Sequence, residues 1–280
     1  MTEQSASSAV DAAAEVGEQV TEHPAYRWLV TVGLVCYGFV HVLLAWLTLG
    51  VLRGKGVDAS NQGSIATLAD LPAGRVMVAA VGVGMLALSL WQALEAAFGY
   101  PWLHGKKLVV RKVASAFRAV VYLTIGFGAV KLSLTGAIAN GNASGRSTSR
   151  GLLDLPGGTI LVFLIGVGIL IAAIDQVQRG ARKSFVKYDM QGDVPGWAVK
   201  LGIVGWITKG VTLALVALGF FLAAIQHNAN QAGGLDAALK DVRGTSQGQL
   251  ALAVIAFGFF CFGIFCFVWS QNARHDVTSD

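Results

Sequence analysis

Charge is what this chain has least of. Asp, Glu, Lys and Arg make up 13% of its 280 residues, about half the roughly 25% of an ordinary soluble domain. Cysteine is nearly absent too. The three that occur, Cys36, Cys261 and Cys266, lie inside apolar stretches with no CxxC or Cys/His spacing. That excludes a disulfide framework or a zinc knuckle and leaves them as small packing residues. Enzyme signatures are missing as well. There is no P-loop, no HExxH and no GxSxG, and the GVG glycines fall in mid-helix rather than after a strand, so they are no dinucleotide fingerprint. Neither an enzyme nor a cofactor or metal site is expected. The first stretch, "MTEQSASSAVDAAAEVGEQVTEHP", has no basic start and no apolar core, so it does not read as a signal peptide. A flexible acidic tail over 1–25 is expected, with a short helix over 11–20.

What is present in quantity is apolar sequence: 54% of the chain, with a mean hydropathy of +0.60. It comes in six runs, 27–52, 74–98, 112–138, 156–179, 200–226 and 247–271. Each is long enough for a helix across a hydrocarbon core, which takes about 20 residues. The net charge of +5 is no nucleic-acid signature, because it is concentrated in two connections, "HGKKLVVRK" at 104–112 and "RGARKSFVK" at 179–187. The other three connections hold few Lys or Arg. The positive-inside rule places the two basic connections, and with them both termini, in the cytoplasm of a multi-pass inner (plasma) membrane protein.

The runs repeat. "LADLPAG" at 68–74 and "LLDLPGG" at 152–158 are near copies, each followed by a similar helix: "VGVG" at 81–84, then "IGVG" at 165–168, with "IAFG" at 255–258 as the third copy. The helices before them align more loosely, so the chain reads as three tandem two-helix units, roughly 85 to 90 residues apart. The expected units are 26–105, 106–190 and 191–274, with a short tail over 275–280. Two helices return each unit to the same side, so the repeats are parallel and related by an axis along the membrane normal. The fold class is therefore all-α, six transmembrane helices as three parallel tandem hairpins in a pseudo-threefold arrangement. Within the heptapeptide, proline is expected in the first helical turn, with Asp70 or Asp154 complementing the helix dipole. "SIATLADL" and "LDAALKDV" read as short amphipathic helices lying on the outer surface.

On "YGFVH" at 37–41, the two LxDLPxG heptapeptides and the repeated "VGVG" and "IGVG", the chain resembles bacterial, mainly actinobacterial, membrane proteins of the "domain of unknown function 1206" type. In the third unit "KGVTL" at 209–213 takes the place of "YGFVH". The resemblance implies a fold and a topology; it implies no activity.

Ionisable residues inside spans are rare and are candidates for function. Here they are His41, Glu95, Arg118, Lys131, Asp175 and Lys209. Lys131, near the outer surface, is expected to snorkel. Arg118, Lys209 and Tyr37 occupy equivalent positions of the repeat, as do Gln92 and Gln176, and all belong to the cytoplasmic half. An unpaired charge there is costly, so Arg118 is expected to meet Asp175, and Lys209 to meet Glu95. Such pairs serve either as a clamp holding the hairpins or as an ion or substrate relay. His41, mid-span and without a second ligand three or four residues away, is expected to be a hydrogen-bonded core residue rather than a metal or proton site. The six phenylalanines between 257 and 267 point all round the last helix and are expected to face lipid.

These features favour a non-enzymatic accessory or scaffold that binds membrane lipids or a membrane-protein partner, including a second copy of itself. The alternative is a small transporter or channel using the polar cluster; a membrane enzyme is a third reading. The topology is testable directly. A reporter fused after Asp280 should be cytoplasmic, one inserted near Asn142 should lie outside, and a cysteine replacing Lys106 should resist labelling from the outer face.

Overall fold

The computed structural model describes residues 24–70, 74–98, 105–136, 146, 149–244 and 246–273. The expected helix over 11–20 and the tail over 275–280 lie outside them, as do residues 1–23 of the expected first tail; Pro24 and Ala25, counted in that tail, begin the first helix. Six long helices dominate: α1 (Pro24–Leu52), α3 (Gly74–Phe98), α4 (Lys106–Thr135), α5 (Gly158–Ala181), α7 (Gly196–Ile225) and α9 (Ser246–Gln271). They are spans 1 to 6, and each is long and apolar enough to cross a membrane. In hydrocarbon every backbone N–H and C=O must be satisfied within the segment, and helices do that. Shorter helices connect them: α2 (Asn61–Ala69), α6 (Ser184–Asp189) and α8 (Leu235–Val242). The only extended pairing among the described residues is an isolated bridge between Met190 and Ala273.

The spans form a ring. The three tightest pairings are span 2 with span 3, span 4 with span 5, and span 6 with span 1. Each joins the second helix of one unit to the first helix of the next, and the last closes on the first. This is the pseudo-threefold order of three parallel units, but the strongest contacts lie between units rather than within the hairpins. Spans 1 and 6 have 61% and 56% of their apolar windows buried, span 4 only 17%, so the first and last spans form the centre.

Glycines set the close approaches. In "VGVG", Gly82 and Gly84 stand about 200° apart round the helix, at 100° per residue, and so reach two different neighbours. A Cβ at Gly82 would meet Val130 and the Gly126 carbonyl on span 3; one at Gly84 would meet the Gly33 Cα on span 1 at 3.1 Å. Gly38 and Gly263 bring spans 1 and 6 together in the same way. The second unit keeps half of this device. Gly166 packs against Phe220 and Phe221 on span 5, but Gly168, the counterpart of Gly84, has nothing within 4 Å. Spans 3 and 4 hardly touch, and the ring is open there.

Both heptapeptides bring their first residue against their last. A Cβ on Gly74 would collide with the carbonyl oxygen of Leu68, and one on Gly158 with that of Leu152. In both, the seventh residue must be glycine because the carbonyl of the first folds against it. The dipole reading is corrected. Asp70 is the C-cap of α2 rather than a residue at the start of span 2. Asp154 and Pro156 lie in the turn before span 4, whose N-cap is Gly157 in left-handed conformation at φ +77°.

The amphipathic helices also differ from expectation. α2 and α8 pack into the end of the bundle opposite the basic connections instead of lying on the membrane: Ile65, Leu68 and Leu239 are buried. The buried Asp236 carboxylate accepts the Ala59 backbone N–H at 2.9 Å and pairs with Lys240 at 2.7 Å, which joins α8 to the segment leading into α2. At the opposite, basic end, α6 folds back beneath the ring. Phe185 inserts against Phe265 and Trp206, and the Trp269 indole N–H donates to the Asp189 carbonyl at 3.0 Å. Three of the six late phenylalanines are buried, Phe262 and Phe265 in this layer and Phe259 against Leu44 and Ile255 farther along the bundle, while Phe257 and Phe260 face outward; the expectation that all six face lipid is corrected.

The two equivalent glycines should respond oppositely to a large side chain. Gly84→Leu should cost about 1–3 kcal/mol by overpacking, whereas Gly168→Leu should stay within about 0.5 kcal/mol of the parent chain. Thermal unfolding of both purified variants in one detergent would compare them.

Candidate functional site

The intramembrane polar residues form three groups near the basic half of the ring. In the first, between spans 2 and 3, the Arg118 guanidinium donates through Nε to the Gln92 side-chain oxygen at 2.7 Å and through Nη2 to Ser115 Oγ at 2.9 Å. Its ion pair with Glu95 is looser, at 3.9 Å, and Ser115 in turn donates to Glu95 at 3.1 Å. In the second, at the end of span 4, Arg179 bridges Asp175 at 3.0 Å and Asp189 of α6 at 3.1 Å.

The third group is central. Lys209 from span 5 donates through Nζ to the Tyr37 hydroxyl of span 1 at 2.7 Å. The Tyr37 hydroxyl is left to donate onward to that of Tyr122 on span 3. The ammonium also sits over three aromatic rings: Phe262 at 4.2 Å, Trp206 at 4.7 Å and Tyr37 at 4.9 Å. Such a cage attracts a cation electrostatically, but it carries no negative charge. Among the described residues no carboxylate lies within ion-pair distance of Lys209, and Arg118 and Arg179 are both near enough to act on its charge.

The expected pairings are therefore corrected. Arg118 does not meet Asp175, because each finds an acid or base closer along the chain or on the adjoining span. Lys209 does not meet Glu95, because Glu95 is held by Ser115 and Arg118 at the span 2–3 seam. Tyr37 and Lys209, equivalent in the repeat, do converge on the axis. Gln92 binds Arg118, but its counterpart Gln176 has a buried side-chain oxygen with no partner, and the buried Trp206 indole N–H has none either. His41 is 4% exposed, donates from Nδ1 to the Tyr37 carbonyl at 2.9 Å, and packs against the Tyr37 and Phe262 rings. Lys131 is exposed, and all three cysteines are free and buried. Among the described residues no group of three His, Cys, Asp or Glu could hold a metal ion.

Sequence reasoning missed Arg179, although its spacing of four from Asp175 is the ordinary helix ion-pair spacing. It also missed the cage, for which there is no local signal, since Tyr37, Trp206 and Phe262 come from three different spans.

The ordered repetition identifies the relatives. The Domain of Unknown Function (DUF1206) matches three times, over residues 32–99, 113–183 and 204–270. The chain belongs to this family. It is also similar to "Uncharacterized protein YxxB" of Bacillus subtilis (strain 168), 27% identical over 234 residues that cover 81% of this chain and 83% of the relative. No solved structure matches the chain.

Three substitutions separate these arrangements. Asp175→Asn should cost less than about 1 kcal/mol, because that side chain is 46% exposed and Arg179 keeps Asp189. Tyr37→Phe takes away the acceptor of a charged donor and should cost about 1–3 kcal/mol. Lys209→Met removes a cation that has no acid partner, so in a neutral detergent it should be neutral or stabilising. Unfolding curves of the purified variants would rank them.

Proposed function

We propose that this protein is a non-enzymatic lipid-binding scaffold of the plasma membrane, with its basic connections and both termini in the cytoplasm, and that acyl chains occupy the opening between spans 3 and 4. One observation carries the reading. The repeat would close every unit at a glycine contact, as Gly84 does on Gly33, yet Gly168 faces open space. A glycine in a helix interior costs about 1 kcal/mol relative to alanine; one that touches no protein leaves room for something else, and in a bilayer the abundant apolar chains are those of lipids. The large apolar residues Ile160, Phe163, Leu164 and Ile171 on the same span are exposed and suit that surrounding. The charge asymmetry of the connections supports the orientation. The aromatic layer of Phe185, Trp206, Phe262, Phe265 and Trp269 across the basic end weighs against an axial channel.

A photo-crosslinking residue placed at position 168 of the full chain in native membranes tests this. Adducts with lipid masses are expected, and Gly168→Trp should reduce lipid adducts formed from a second crosslinker on span 4. Crosslinked dimers in place of lipid adducts would assign the face to a second copy and overturn the reading.

A further inference from the structure

At the axis, the unfilled hydrogen-bonding capacity lies mainly with donors. Lys209 has three N–H bonds and one protein acceptor, the Tyr37 hydroxyl. The Trp206 indole, 5% exposed, has no partner for its N–H; on span 4 the unpartnered atom of Gln176 is its side-chain oxygen, an acceptor. Arg118 on span 3 and Arg179 on span 4 come from the two helices that part from each other, and the Arg179 guanidinium lies 5.5 Å from the centroid of the Trp206 ring. The acids of this region, Glu95, Asp175 and Asp189, are engaged with the two arginines. Within the three groups, that leaves Lys209 as the cation with no acid and Trp206 as a buried donor with no acceptor. A buried cation without a counter-charge and a buried donor without an acceptor each raise the energy of the fold. One anionic group with several oxygens relieves both.

We infer that the opening admits an anionic phospholipid, whose phosphate oxygens are drawn inward to Lys209 and Trp206 while its acyl chains stay between spans 3 and 4. This rests on the lipid-binding reading and adds the headgroup class to it. Charge complementarity selects the lipid: a zwitterionic headgroup would bring a second cation beside Lys209, Arg118 and Arg179, whereas an anionic one would not. Lys209 is half-buried.

The test uses the full chain in nanodiscs containing equal amounts of phosphatidylglycerol and phosphatidylcholine, each carrying a diazirine on an acyl chain, with adducts on spans 3 and 4 counted by mass spectrometry. Phosphatidylglycerol should label the opening about tenfold more than phosphatidylcholine, the ratio that one hydrogen bond to a charged group produces. Lys209→Gln should bring the ratio close to one, Lys209→Arg should retain most of it, and Lys131→Gln, which changes an exposed lysine at the opposite end of span 3 from the basic connection, should leave it unchanged. Should Lys209→Gln fail to fold, the ratio in the parent chain and in Trp206→Phe decides, the latter being expected to fall by several-fold. Equal labelling by the two lipids overturns the headgroup assignment and leaves the acyl-chain opening standing. A preference that survives Lys209→Gln overturns it too. Absence of adducts from either lipid overturns the opening itself.

Discussion

Between helices surrounded by lipid there is little hydrophobic gain from association, because lipid tails are as apolar as the side chains they would replace. Contact then depends on how closely atoms approach. In this protein the approach is made by backbone against backbone at glycine: Gly82 on Gly126, Gly84 on Gly33, Gly38 on Gly263. The spacing of two residues in GVG turns the same short motif toward two neighbours at once. Everything else in the ring follows from which of these contacts are made. Spans 1 and 6, joined by Gly38 and Gly263, hold the centre. Span 4, with one of its two glycines unengaged, stays at the edge.

The charged residues obey the same economy of distance. A carboxylate in a span takes the nearest cation, so Asp175 joins Arg179 one turn away and Glu95 joins Arg118 across the adjoining seam. These choices consume the acids locally and leave none for Lys209 at the axis. Aromatic faces and a tyrosine hydroxyl hold its ammonium instead. The central cation is thus a consequence of pairing rules at the periphery.

The two ends are closed by different means. At the end away from the basic connections, α2 and α8 press apolar faces into the bundle, and the Asp236 carboxylate ties α8 to the Ala59 backbone before α2. At the basic end an aromatic layer fed by α6 seals the ring. Among the described residues neither device is repeated three times. The departures from symmetry, more than the symmetry itself, distinguish one unit from the next and leave spans 3 and 4 apart.

The six spans, their order and the threefold repetition were legible in the sequence, because apolar runs of helix length and the recurrence of LxDLPxG with GVG are local patterns. His41 as a hydrogen-bonded core residue was legible too, since no second ligand stood one turn away. The heptapeptide could be recognised as a boundary but not understood: that Gly74 and Gly158 make room for the Leu68 and Leu152 carbonyls is a matter of chain reversal in space. The pairings of Arg118, Asp175, Lys209 and Glu95 were not legible. The repeat places them at similar depth, but depth does not say which span stands beside which, and the tight neighbours proved to be helices of successive units. The aromatic cage and the opening at Gly168 belong to the tertiary structure alone. A glycine reads the same whether it touches another helix or nothing, and three rings from three spans surround one ammonium only after the ring has closed.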